Sequence, residues 1–223
     1  MNVCIHYGSS RPEAESAVEE IRSLGVRCVA VQAELRRPVA AAQTVMEEAN
    51  RQLGPIHCLI NSAAIFRAGR LTDTSETDWD DHQNINLKAP FFLSQAFAKQ
   101  LPHDGTGSIV NIIDWRAEHP ITGHVAYTVA KSGLWSLTKM LAQELGPLIR
   151  VNGIAPGAIL PAPGATSDEF EQRGKFNPLQ KTGSPDDLAH ALDYLLTAPF
   201  VTGEVLHVTG GEQLLTGCQS ASH

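Results

Sequence analysis

The sequence predicts an α/β fold, a parallel sheet with helices on both faces. Two patterns predict it. Short β-branched runs alternate along the chain with longer amphipathic stretches. The run I-V-N-I-I at 109–113 is close to continuously apolar, as a strand covered on both faces must be. The 223 residues, 43% hydrophobic and 18% charged, suffice for one substantial core. No low-complexity linker or internal repeat interrupts them, so a single domain over 1–223 is expected.

Asn2–His6 reads as a strand and Pro12–Leu24 as a helix, with Pro12 in the first turn and Gly25 as its stop. Cys28–Gln32 is the next strand. A helix follows, starting near Pro38 and ending before Gly54, then a short buried strand, Cys58–Asn61. Asp78–Gln100 reads as one long helix that Pro90 should kink or in which it should mark a favoured bend. Ser108–Ile113 is a strongly apolar strand, Val125–Leu145 a helix and Arg150–Ile154 a strand. Leu160–Lys181, rich in Pro, Gly and polar residues, is the longest irregular stretch. It follows the C-terminal end of a strand, where open α/β sheets bind ligands, so a lid is expected there. Pro185–Thr197 is a helix with Ser184 as N-cap, and Val205–Val208 closes the series.

Composition narrows the function classes. A net charge of −7 and a pI of about 5.7 offer no basic field to nucleic acid or anionic membrane. No apolar run approaches a membrane span, and MNVCIHYGSS lacks the basic start and apolar stretch of a signal peptide. Cys4, Cys28, Cys58 and Cys218 show no C-x-x-C spacing and read as reduced thiols of a cytoplasmic protein. The nine histidines form neither H-x-x-x-H nor H-E-x-x-H, so no metal is expected.

The chemistry centres on Y-T-V-A-K. Tyr127 and Lys131, four apart, share a helix face, and a phenol beside an ammonium is a candidate proton donor. The same spacing arises by chance in many helices. Position strengthens it, because Asp114 leaves the preceding strand thirteen residues before the tyrosine, and one loop can bring both to the mouth of a cleft. Asn86, in I-N-L-K-A-P, belongs to the long helix and reads either as a site residue or as a polar group bonded to a carbonyl. Tyr7, Ser9, Ser10 and Arg11 follow the first strand with no acid before Glu13. Hydroxyls and a guanidinium there suit a phosphate group, and Ser10 also serves as an ordinary helix N-cap.

Taken in order, these stretches resemble the short-chain dehydrogenase/reductase family. The likeness rests on Y-T-V-A-K, on N-S-A-A at Asn61–Ala64 where the family has N-N-A-G, on Pro156-Gly157, and on T-G-E-V-L-H-V-T-G-G near the end, with Thr209 in place of an acid. The resemblance runs over essentially the whole chain and implies a Rossmann-like doubly wound sheet. It also implies cofactor contacts at Glu34 and Leu35 beside the adenine, and at Asn61, Ala63, Pro156 and Gly157. Asp114 stands where the family places a serine. That exchange is similar to the pteridine reductases, which also carry an aromatic after the N-N-A segment to stack on the pterin. Phe66 fits that place, or else is a core phenylalanine.

The resemblance thus implies NADPH-dependent reduction of a dihydropteridine, of the dihydrobiopterin, dihydromonapterin or dihydrofolate type. Tyr127 would be the acid. Lys131 would lower its pKa and hold the nicotinamide ribose, and Asn86 would hold local geometry or a water chain. A carboxylate only accepts hydrogen bonds, so Asp114 suits a substrate bearing N–H donors, and it could relay a proton. The alternatives are a carbonyl or 3-oxoacyl reductase of the same family, or a non-catalytic remnant acting as a subunit partner. A homotetramer joined through Asp78–Gln100 and Val125–Leu145 is also implied.

One departure stands out. The family begins with a strand, T-G-x-x-x-G-x-G and a helix, and this sequence has no such motif. The first βα unit is therefore expected to be lacking, in an N-terminally truncated domain that binds NADPH poorly. The neighbours of that strand would have to close the gap, pair elsewhere or accept water.

Overall fold

The strands are short, largely apolar runs, and the longer helices such as Pro38–Leu53 and Val125–Leu145 bury an apolar stripe. The structure, a computed structural model, describes residues 1–161 and 164–215. In chain order, β1 (Val3–Tyr7) leads to α1 (Arg11–Ser23), β2 (Cys28–Gln32), α2 (Pro38–Leu53) and β3 (Cys58–Asn61). Then come α3 (Glu76–Gln83), α4 (Ala89–Gln100), β4 (Gly107–Ile112), α5 (Val125–Leu145) and β5 (Ile149–Pro156). The described chain ends with α6 (Ser167–Gly174), α7 (Pro185–Thr197), β6 (Val205–Val208) and a 3-10 turn, Glu212–Leu215. Among these residues, no helix is long and apolar enough to cross a membrane.

All strand pairings are parallel, with crossover helices between them. Side chains alternate across the sheet. Leu59, Ile109 and Val151 face Met46 of α2, Phe97 of α4 and Leu141 of α5. Val110 and Ile154 face the other way, onto Leu195 of α7. The fold is therefore the expected α/β arrangement with helices on both sides.

The pairing divides into two sheets. β1 bonds only to β2, while β3, β4, β5 and β6 form a four-stranded ladder in that order. Between β1 and β3 lies a cavity of about 460 Å³, lined by Cys4, Ile5, Leu35, Met46, Leu59 and Leu93 among others. The two strands face each other across this apolar slot without pairing.

Two expected elements differ. The long helix Asp78–Gln100 is three pieces, α3, a π turn at Asn84–Lys88, and α4. Pro90 has no N–H to donate and its ring crowds the carbonyl four residues back, so the backbone widens ahead of it, and the Ala89 N–H bonds to the Asn84 carbonyl. The helix also starts earlier, where the Ser75 hydroxyl accepts from the Asp78 N–H at 3.1 Å. The stretch Leu160–Lys181 is not irregular throughout. It holds α6, opened by a capping box in which Thr166 Oγ1 accepts from the Glu169 N–H at 3.2 Å and the Thr166 N–H donates to Glu169 Oε2 at 2.8 Å. Residues 162–163 of that stretch, and Cys218, lie outside the described residues. Cys4, Cys28 and Cys58 are free thiols.

The π turn sets where the site forms. α5 approaches it so closely that a Cβ on Gly133 would lie 2.7 Å from Leu87 Cδ2. The loop after β3 is stitched to the start of α5 by Gly69 N–H to Gly123 carbonyl at 2.8 Å and Val125 N–H to Gly69 carbonyl at 3.1 Å. That stitch carries residues 62–70 over the first turn of α5.

Candidate active site

Three elements meet at the C-terminal end of β4. Asp114 leaves the strand and caps a 3-10 turn, Trp115–Ala117, its Oδ1 accepting the Arg116 N–H at 2.8 Å. Tyr127 lies in the first turn of α5, and its hydroxyl donates to Asp114 Oδ2 at 2.9 Å. Lys131, one turn on and 2% exposed, donates from Nζ to the Ile112 carbonyl at 2.7 Å. The acid, the phenol and the ammonium thus converge at one sheet edge.

The electrostatics differ from expectation in one respect. Lys131 was to lower the pKa of Tyr127. Instead the phenol is pushed well above its ordinary value, first by burial, then by the negative charge of Asp114 and by the hydrogen bond to it, with Arg116 opposing. The lysine ammonium lies 5.8 Å from the tyrosine ring centroid and points to a main-chain oxygen. Lys131 itself is lowered to about 8 by burial, with Asp114 opposing. Tyr127 therefore stays a phenol, while burial makes the lysine proton easier to lose.

Phe66 is 49% exposed, so it is not a core residue. Its ring stacks on the His124 imidazole at 4.3 Å and meets Tyr127 edge-on at 4.7 Å. Asn86 holds this loop in place. Its Oδ1 accepts the Ile65 N–H and its Nδ2 donates to the Ile65 carbonyl, both at 2.9 Å, and it is 0% exposed. Asn86 was expected among the catalytic residues, but both its polar atoms engage the residue before Phe66, so it positions the loop. His82, also buried, receives the Arg67 N–H on Nε2 at 3.4 Å and bonds from Nδ1 to the Asp78 carbonyl at 2.6 Å.

The expected cofactor residues divide. Ser9, Ser10 and Arg11 are exposed where β1 gives way to α1, with the Arg11 guanidinium 5.7 Å from the Tyr7 ring centroid. Ser10 caps α1 through its carbonyl, which accepts from Ala14, and its hydroxyl makes no capping bond. These hydroxyls and this guanidinium at a helix N-terminus suit a phosphate. Glu34 accepts from its own neighbour, the Arg36 N–H, at 3.0 Å. Leu35 is buried with Val31, Ala41 and Val45 and also lines the slot between β1 and β3.

Asn61 is likewise turned inward. Its Nδ2 donates to Asn111 Oδ1 at 2.8 Å, and Asn111 donates in turn to Thr138 Oγ1 at 2.8 Å, which ties β3 to β4 and α5. Ala63 is exposed past the end of β3. Pro156 ends β5, and Gly157 permits a close approach, since a Cβ there would lie 2.8 Å from Thr209 Cα. Among the described residues, no glycine-rich turn lies between β1 and β3.

The sequence reading missed Arg116. Its Nη1 lies 3.2 Å from Asp114 Oδ2, inside the site, and its guanidinium stands 5.6 Å from the Phe66 ring centroid. The signal was the D-W-R triplet, whose ion pair forms only because the chain turns back at once after β4.

Comparison with known proteins agrees with the fold. The family model described as Enoyl-(Acyl carrier protein) reductase matches residues 1–213. The 3-oxoacyl-(acyl-carrier-protein) reductase FabG of Staphylococcus epidermidis is 33% identical over 215 residues, covering 94% of this chain and 88% of that protein. The FolM alternative dihydrofolate reductase 1 of Brucella canis, complexed with NADP, superposes with a TM-score of 0.90 at 32% identity, covering 99% of this chain and 88% of that one. A blue fluorescent protein from a metagenomic library, in complex with NADPH, gives 0.86 at 33% identity over 95% of this chain and 87% of its own.

Proposed function

The chain belongs to the short-chain dehydrogenase/reductase family, and from that premise we propose that it reduces a dihydropteridine to the tetrahydro form with NADPH. The observation that carries this reading is the carboxylate of Asp114, bonded to the Tyr127 hydroxyl at 2.9 Å beside the half-exposed ring of Phe66. A carbonyl substrate needs hydrogen-bond donors around its oxygen. A pterin ring presents N–H and amino donors, which a carboxylate accepts. The exposed Phe66 ring offers a flat surface at the same opening.

Ser9, Ser10 and Arg11 would hold the 2′-phosphate of the cofactor, and Lys131 its nicotinamide ribose. When bound, NADPH supplies the hydride. The chain's own residues supply the rest. Asp114 orients the ring by accepting from it. Tyr127 gives its proton to the ring nitrogen of the C=N bond as the neighbouring carbon gains hydride, and it is reprotonated from solvent through the opening beside Phe66. A nitrogen that is gaining electrons is strongly basic, so a phenol of raised pKa is still an adequate donor. The same reading proposes a homotetramer joined through α4 and α5, whose exposed apolar side chains include Phe91, Val129 and Met140.

The likeness to FabG favours a second reading, reduction of a 3-oxoacyl thioester. Overall identity does not separate the two, at 33% for FabG and 32% for FolM. Assaying the protein with NADPH against dihydrobiopterin, dihydromonapterin and dihydrofolate, and against an acetoacetyl thioester, separates them. Turnover of a dihydropteridine is expected. Turnover of the thioester alone moves the assignment to the second reading.

A further inference from the structure

Arg116 follows Asp114 by two residues and turns back onto it. Its main-chain N–H donates to Oδ1 at 2.8 Å, and its Nη1 lies 3.2 Å from Oδ2 and 3.5 Å from Oδ1. Oδ2 is also the atom that accepts the Tyr127 hydroxyl. The pair is sheltered, with each side chain 11% exposed. An ion pair buried to this extent is strongly disfavoured from losing one partner, unlike a pair on the open surface. The guanidinium is walled by two rings, 5.2 Å from the Trp115 centroid and 5.6 Å from that of Phe66. Its Nε is buried with no hydrogen-bond partner, so no other acceptor draws the group away from Asp114.

A carboxylate offers about four acceptor positions. On Oδ2, Arg116 Nη1 and Tyr127 Oη fill both. On Oδ1, the Arg116 N–H fills one, and Nη1, whose nearer contact is Oδ2, reaches it only at the 3.5 Å limit. A single position on Oδ1 is left for a substrate, and Arg116 supplies two of the three donors that define it. We propose that Arg116 is a positioning residue that holds Asp114 as an oriented acceptor with one open site, and so selects ligands presenting a ring N–H or amino donor over those presenting only a carbonyl oxygen. This rests on the pteridine reductase reading given above. Without the guanidinium the carboxyl group can rotate, and its open position is no longer fixed.

Equilibrium binding tests the proposal without turnover. Pterin and acetoacetyl-CoA are titrated separately into the full chain and followed by quenching of tryptophan emission, since Trp115 adjoins the site. The Arg116→Met variant is expected to bind pterin roughly 10- to 100-fold more weakly, the equivalent of one lost charge-assisted hydrogen bond. Its affinity for acetoacetyl-CoA is expected to hold or improve. Arg116→Lys keeps a cation without the planar fork and should recover part of the pterin affinity. If Arg116→Met does not fold, Arg116→Lys carries the test, with a several-fold loss expected for pterin alone. Equal losses for both ligands would show a merely structural role and overturn the proposal, as would undiminished pterin binding. If the wild-type chain binds no pterin, the functional reading itself falls, and that result is told apart because there is then no wild-type affinity to lose.

Discussion

Tyr127 keeps its proton because burial and the adjacent Asp114 carboxylate both disfavour the phenolate. Tyr127→Phe retains the ring and its edge contact with Phe66 and removes only the donor. With a dihydropteridine and NADPH at the same fixed concentrations for both proteins, the rate is expected to fall about 10²- to 10⁴-fold. A rate within a few-fold of wild type would place the proton source elsewhere. Lys131 makes a prediction of opposite kind, because burial brings it down to about 8. Below that pH the ammonium is present, so activity that depends on it declines as pH rises through about 8. Stability runs the other way. The unfolded chain keeps this proton up to the ordinary lysine value of 10.5, so between about 8 and 10.5 it binds more protons than the folded chain. This group's contribution to stability therefore rises with pH across that window. A rate that falls while the melting temperature does not fall with it marks the lysine rather than unfolding. Lys131→Arg, whose guanidinium stays charged, is expected to hold its own rate level across the same window. If the arginine variant shows the wild-type decline, another group is titrating.

The π turn ahead of α4 acts on the site through Asn86. That side chain clamps both main-chain polar atoms of Ile65 and so fixes the entry to Phe66. Asn86→Ala leaves two main-chain groups without their partners and is expected to cost about 1–3 kcal/mol, seen as a lower denaturant midpoint at unchanged m. The KM for a dihydropteridine should rise more than kcat falls. Asn86→Asp can still accept from the N–H but cannot donate to the carbonyl, so its effect should be intermediate. An alanine variant with wild-type stability and KM would show that the loop is held by the Gly69–Gly123 stitch alone. What the sequence made legible follows the same division between local and tertiary causes. The bounds of α2, α5 and α7 read correctly because their stops and starts are local, a proline in the first turn of α2 and α7 and a glycine after α2 and α5. The approach of Asp114 to Tyr127 was legible from their spacing across one βα connection. The π turn was not, because Pro90 announces a break without saying whether the chain bends or widens. α6 had its own signal, the T-S-D-E box at 166–169, masked by the prolines and glycines around it. For Leu35 and Asn61 a place in a motif did not say which way the side chain faces, and both turn inward. Arg116 escaped because its contact needs the 3-10 turn.

Across the whole molecule, the groups proposed above for the cofactor's 2′-phosphate and those proposed for its nicotinamide end stand on different sheets. Ser9, Ser10 and Arg11 follow β1 of the two-stranded sheet, while Asp114, Tyr127 and Lys131 gather at the end of β4 in the four-stranded one. The apolar slot of about 460 Å³ lies between these sheets, and its lining offers side chains such as Ile5, Leu59 and Leu93. A dinucleotide spanning the two sets of groups carries its pyrophosphate between them. Main-chain N–H groups at a glycine-rich helix start are the usual partners of that doubly charged segment, and among the described residues none lies between β1 and β3. Two charge-assisted bonds forgone amount to about 3–6 kcal/mol, or roughly 10²- to 10⁴-fold in affinity against a dinucleotide fold that makes them. The 223-residue chain is therefore expected to bind NADPH weakly, with a shallow, unsaturated rise when nicotinamide fluorescence is followed in a titration. What binding there is should weaken with salt, because the remaining phosphate contacts come from exposed groups around Arg11. Arg11→Ala should lower NADPH affinity and leave NADH affinity nearly unchanged, since only NADPH carries the 2′-phosphate. Tight, stoichiometric binding of NADPH would mean that the phosphates are held by groups other than those at the β1 end, and that the division between the two sheets does not limit the site.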